Sequence, residues 1–166
     1  ALYLLNRMSS PAASAWTDRQ AGTLFGAQDT EGRVEDAYLD GNFIRTSLLY
    51  AAWQTQGARV DPWDPGVMLG AAPAGDCLLL AVAASGQWAG RVVFDTPRHR
   101  EHLGLPVNYP RLNEWPEWWT VEPDRQYAVT FSDGTQQMYV GEHLASGLAV
   151  TLAPGQALEL TVCGSG

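Results

Sequence analysis

A change of rhythm near residue 60 constrains this chain more than any other feature. Before it, apolar residues recur at helical spacing around a helix predicted over Asn42–Gln56. After it, from Val67 to Cys163, the chain reads as short apolar stretches cut by turn signals. A chain that is first helical and then β to its end predicts a mainly β fold. The expected architecture is an antiparallel β-sandwich of about eight strands with a short N-terminal helical segment. The expected organisation is a helical segment at 1–60 and a β-sandwich domain at 67–166.

The helical part opens with residues 1–8, which read as the last turns of a helix. Ser10-Pro11 then reads as an N-cap with proline in the first turn, opening a short helix to about Asp18. Gly22, Gly26, Asp29 and Gly32 mark a loop. In the main helix, Ile44, Leu48, Ala51 and Ala52 form one apolar stripe, flanked by Phe43, Ser47 and Tyr50, and Gly57 is placed to stop it. So few short helices cannot bury such faces among themselves. They need the β part or something outside this chain as cover. The terminus at Ala1 lacks an initiator Met, a basic start and a long apolar run. It reads as the interior of a longer protein rather than as a signal peptide.

Asp61-Pro62-Trp63-Asp64-Pro65-Gly66 reads as a stiff connector that excludes helix and strand. Strands are predicted at Val67–Ala71, Cys77–Ala84, Trp88–Asp95, Trp118–Val121, Gln126–Phe131, Gln136–Val140, Leu148–Leu152 and Ala157–Cys163. The run Cys77–Ala84 is wholly apolar and predicts a central strand covered on both faces. Pro73–Asp76 and Ser85-Gly86 read as turns, Asp133-Gly134 as a tight hairpin and Pro154-Gly155 as a further turn.

Composition narrows the function. Charged residues make up 17% of the chain against a usual ~25%, and hydrophobic ones 46%, so a packed core is expected rather than disorder. The net charge of −8 argues against nucleic acid or an anionic membrane as partner. No apolar run approaches the ~18 residues a membrane helix needs. The two cysteines, Cys77 and Cys163, are too few for a disulfide framework and too far apart for a metal knuckle. Two buried thiols are the simpler reading. A disulfide requires Cα atoms within ~7 Å.

Three groups of residues carry candidate chemistry. The stretch from Thr96 to Pro116 has no clear period, and loops of that length are often functional. Around it, Tyr109, Trp115, Trp118 and Trp119 offer flat rings for stacking on sugars. Asn113, with Asn108, Glu114 and Glu117, offers groups to read hydroxyls. The alternative is that the rings close one end of the β domain. His99 and His102 with Glu101 and Asp95 have a metal-ligand look, opposed by the interleaved Arg98 and Arg100. The reading taken is a polar loop without metal or cofactor. Finally, Glu31, Glu35, Asp36 and Asp40 lead into Asn42 and Arg45. Carboxylates before a helix suit its dipole, and a glycosidase pair would need a separation of ~5–5.5 or ~6.5–9.5 Å. Asp36, Asp40 and Arg45 are the candidate catalytic residues. No nucleophile elbow, phosphate loop or dinucleotide fingerprint is present.

Two stretches carry a resemblance. Asp40-Gly41-Asn42-Phe43-Ile44-Arg45-Thr46, continuing to Tyr50, Trp53 and Gln56-Gly57, resembles a late helix of the α/α toroid in multidomain, glycan-active bacterial enzymes. Tyr139-Val140-Gly141 with Leu144, Gly147-Leu148 and Leu152-Ala153-Pro154-Gly155 resembles the closing hairpins of their C-terminal sandwich. The resemblance covers about half of the chain and implies a role in polysaccharide hydrolysis or elimination. It would place Asp40, Asn42 and Arg45 near a cleft at the mouth of the toroid. This chain has far too few helices for a toroid. The expectation is therefore an accessory or scaffold sandwich whose partner is a helical catalytic domain or a missing part of the same chain, with an oligo- or polysaccharide as ligand. The alternatives are a stand-alone carbohydrate-binding module and a small hydrolase using Asp or Glu with His.

Overall fold

The computed structural model describes residues 10–31, 41–105 and 116–165. The chain divides into two compact units: Ala1–Trp53 with Tyr109–Pro116, and Gln54–Asn108 with Glu117–Gly166. The predicted helix at 1–8 lies outside the described residues.

In the first unit, α1 runs from Pro11 to Gly26. Proline in the first turn suits a helix start, because its missing N–H has no partner there anyway. Ala13, Thr17 and Ala21 form its buried stripe. The helix continues past the expected stop at Asp18, through Gly22 and Gly26. A glycine costs only about 1 kcal/mol in a helix, and packing beyond it compensates. The Phe25 ring meets Tyr50 edge-on at 5.8 Å, and the Tyr50 hydroxyl donates to Asp18 Oδ1 at 3.0 Å. The second helix, α2, spans Gly41–Gln54, close to its predicted bounds. No helix among the described residues is long and apolar enough to cross a membrane.

The second unit is mainly β. Its strands are β1 (Arg59–Asp61), β2 (Val67–Ala74), β3 (Cys77–Ala84), β4 (Trp88–Val93), β5 (Gln126–Phe131), β6 (Gln136–Val140), β7 (Leu148–Leu152) and β8 (Ala157–Gly164). They form two antiparallel sheets, a three-stranded one in the order β1-β4-β7 and a five-stranded one in the order β2-β3-β8-β5-β6. Alternation builds the core. Leu78, Leu80 and Val82 of β3, Leu160 and Val162 of β8 and Tyr127 and Val129 of β5 are buried from one sheet. Val92 of β4 and Leu148, Val150 and Leu152 of β7 are buried from the other. Ala58, Ala84, Trp88, Phe94, Val121 and Leu144 complete the cluster.

Several expectations change. β1 occupies the end of the segment read as helical and enters the residues read as connector, pairing Val60 with Val92. Three residues that stop before a proline give too short an alternation to detect. β2 runs through Pro73, read as a turn residue, and pairs it with Leu78. An edge strand tolerates proline because one of its sides has no ladder to supply. The predicted strand at Trp118–Val121 is reduced to one parallel bridge, Thr120 to Asp95. Two six-residue helices were not foreseen, α3 (Arg98–Leu103) and α4 (Gly141–Ser146). β3 is buried on one face only, with Leu79 46% exposed on the other. The cysteines are not thiols. Cys77 and Cys163 are register partners on β3 and β8, with Cα atoms 4.2 Å apart, and form a disulfide.

The β5–β6 hairpin turns as predicted at Asp133-Gly134. Gly134 supplies a φ of +83°, and Phe131 and Thr135 close the turn. The Thr135 hydroxyl and N–H both donate to Asp133 Oδ1 and hold that carboxyl below its ordinary range.

Candidate functional site

The segment between β4 and β5 carries most of the polar chemistry among the described residues. Beyond the end of β4, buried Phe94 is followed by Asp95, whose carboxylate binds Arg98 in a two-point fork at 2.8 and 2.9 Å. The Thr96 N–H donates to the same carboxylate at 3.0 Å. Pro97 then opens α3, which Gly104 stops in the left-handed region at φ +63°.

His99 is the buried residue of α3, 2% exposed, and lies beside Glu117, 4% exposed. The His99 backbone N–H donates to Glu117 Oε1, and His99 Nδ1 lies 3.7 Å from the same oxygen. Glu117 thus satisfies one of the free N–H groups at the start of α3 from a distant part of the chain. On the other side of α3, Arg100 forks onto Glu122 through both terminal nitrogens. That pairing raises the Arg100 guanidinium above its ordinary pKa. Pro97, His99, Arg100, Glu117 and Trp118 line a cleft of about 200 Å³.

The structure separates the sequence candidates. Trp118 lines the cleft. Trp119 is half-buried and packs edge-on against the protein's own Phe94 and Tyr127, at 6.1 and 5.8 Å. Tyr109, Asn113 and Trp115 lie outside the described residues, as do Asp36 and Asp40. Arg45 is half-buried on α2, in the other unit. His99 and His102 do not share a site, because His99 is buried against Glu117 while His102 is exposed. Among the described residues no group of three His, Cys, Asp or Glu side chains is arranged to hold a metal.

Two features escaped the sequence reading. One is Trp63, 77% exposed on the turn between β1 and β2. The available signal was an aromatic between two prolines, a place that neither helix nor strand can bury. The other is the outer face of the five-stranded sheet. A shallow cavity of about 510 Å³ lies there, over Gly70, Ala72, Leu79, Ala81 and Thr161, with Glu159 at its side.

The buried Glu117 yields a prediction. Glu117→Ala removes the acceptor of the His99 N–H and is expected to cost about 2 kcal/mol. Glu117→Gln keeps an acceptor oxygen and loses roughly half as much. Urea unfolding of both variants checks this. Equal losses would assign the effect to the carboxylate's charge rather than to the acceptor oxygen that glutamine keeps.

No protein-family model matches this chain, and no curated protein or solved structure matches it either.

Proposed function

We propose that this chain is an accessory β-sandwich module of a polysaccharide-degrading enzyme. Its work is to buttress a helical catalytic domain and to contribute to glycan binding. The observation that carries the reading is the bare stripe on α2. Ile44 is 61% exposed, Leu48 51%, and Ala51 is exposed with them, at the i, i+4, i+7 spacing of one helix face. An apolar helix face needs cover, and a neighbouring helix supplies complementary ridges and grooves.

Two further features support the reading. A disulfide between Cys77 and Cys163 suits an oxidising compartment, where enzymes meet extracellular polymers. The cleft beside Trp118 combines an indole with Glu117, His99 and Arg100, an apolar plane with hydrogen-bonding groups around it. The His99–Glu117 pair in that cleft also favours a second reading, a small hydrolase.

Affinity electrophoresis through gels containing soluble polysaccharides tests the glycan part. The expected result is retarded migration without release of reducing ends or unsaturated products. Turnover by the pure chain would establish the hydrolase reading instead. Unretarded migration in every gel would remove the glycan part. For the buttressing part, Ile44→Glu combined with Leu48→Glu is expected to reduce binding of an apolar dye severalfold at unchanged melting temperature. Dye binding that stays at the wild-type level would sink it.

A further inference from the structure

We propose that Trp63 is a fixed stacking platform for a neutral sugar ring. The proposal deepens the glycan-binding reading above and rests on it.

Trp63 has the highest exposure of any large apolar side chain among the described residues. Its turn is not loose. Pro62 and Pro65 set the backbone φ on either side. Asp64 Oδ1 accepts from the Gly66 N–H at 2.7 Å, and the Val67 N–H donates to the Asp64 carbonyl at 3.0 Å. The Gly66 carbonyl accepts from the Ser85 N–H at 2.9 Å and from its hydroxyl at 3.2 Å. The Pro62 carbonyl accepts from the indole of Trp88, itself buried in the core, at 3.3 Å. The turn is therefore tied to β4 and to the β3–β4 connection, and its one large side chain projects from it. Exposing an indole while fixing its support gains nothing for folding. For binding, it removes the cost of ordering a loop.

The surroundings choose the ligand. Asp61, two residues before the indole, pairs with Arg91 at 2.7 Å, and both side chains are about half exposed. Asp64 follows the indole directly. An exposed aromatic face on a turn that also carries Asp61 and Asp64 matches an amphipathic ligand, with a ring of C–H groups on one face and hydroxyls at its edge. The two carboxylates and the net charge of −8 disfavour an anionic sugar. The ligand class is an uncharged oligosaccharide.

The test titrates the full chain with cellohexaose, xylohexaose and mannohexaose, and with hexagalacturonate as the anionic comparison. The readouts are calorimetry and the indole N–H resonance of Trp63. The expected result is saturable binding of at least one neutral hexasaccharide with a shift of that resonance. Trp63→Ala is expected to weaken it about tenfold, and Trp63→Tyr, which keeps a ring, by about threefold or less. All variants keep the wild-type melting temperature, because the side chain is exposed. Neutral binding that survives Trp63→Ala unchanged overturns the platform and leaves the module reading in place. Binding of hexagalacturonate alone overturns the neutral assignment. A chain that binds none of the four overturns the platform together with the glycan-binding part of the proposed function.

Discussion

Replacing Cys77 and Cys163 together by alanine lowers the stability of the β unit by about 4–5 kcal/mol. The bridge joins the first residue of β3 to its register partner near the end of β8 and closes a loop with a sequence separation of 86. Chain entropy sets the size of the effect. A loop of that length loses roughly 15 cal/mol/K of freedom in the unfolded chain when closed, and opening it returns that freedom to the unfolded state. For a chain of this size the melting temperature is expected to fall by about 10–15 °C. Urea unfolding of the oxidised protein, the reduced protein and the double variant checks this. Reduced wild type and double variant should agree, and reductant should leave the variant unmoved. A loss under about 1 kcal/mol would mean that β3 and β8 already hold one another in the unfolded ensemble.

Gly141→Ala is expected to cost about 3 kcal/mol, by crowding rather than by lost contacts. Gly141 is buried where β6 passes directly into α4. A Cβ there would land on the carbonyl group of Glu122, with the Tyr127 ring at 3.1 Å behind it. The Glu122 backbone cannot yield freely. Its N–H donates to the Tyr127 hydroxyl at 2.8 Å, and its neighbours clamp α4 through Arg125 O to Gly141 N–H and Pro123 O to Glu142 N–H. Its side chain anchors Arg100 of α3. One methyl group thus presses on the joint that connects α3, α4 and β5. Glu142→Ala, exposed at the next position, is the control and should stay within about 0.5 kcal/mol. Equal melting temperatures for the two variants would show that the joint relaxes.

The sequence marks strands well where alternation and turn chemistry agree. β3, β5, β6 and β7 begin and end where predicted, because Asp133-Gly134 and Pro154-Gly155 admit few other conformations. It fails where an element spans fewer than two of its own periods. Three residues of β1 and six each of α3 and α4 owe their form to what they pack on. At Gly22 a local preference of about 1 kcal/mol yields to the packing of Ala21 and Phe25.

The site was harder to read than the fold because burial is a tertiary property. Nothing local distinguishes Trp119, packed on Phe94 and Tyr127, from Trp118 in the cleft. Likewise, nothing at His99 announces that a glutamate eighteen positions later will bury beside it. The disulfide needed the register of β3 against β8, which two isolated apolar runs do not specify.

Pro73 on β2 has a consequence beyond this one chain. An open sheet border is a template on which further strands can line up, and it is the usual starting point of fibrous growth. β2 is eight residues long and carries few charges, so its border would otherwise invite such recruitment. A proline near its end offers no donor to an arriving strand. The bulk of its ring also disfavours pairing at that position, a brake on growth at this border.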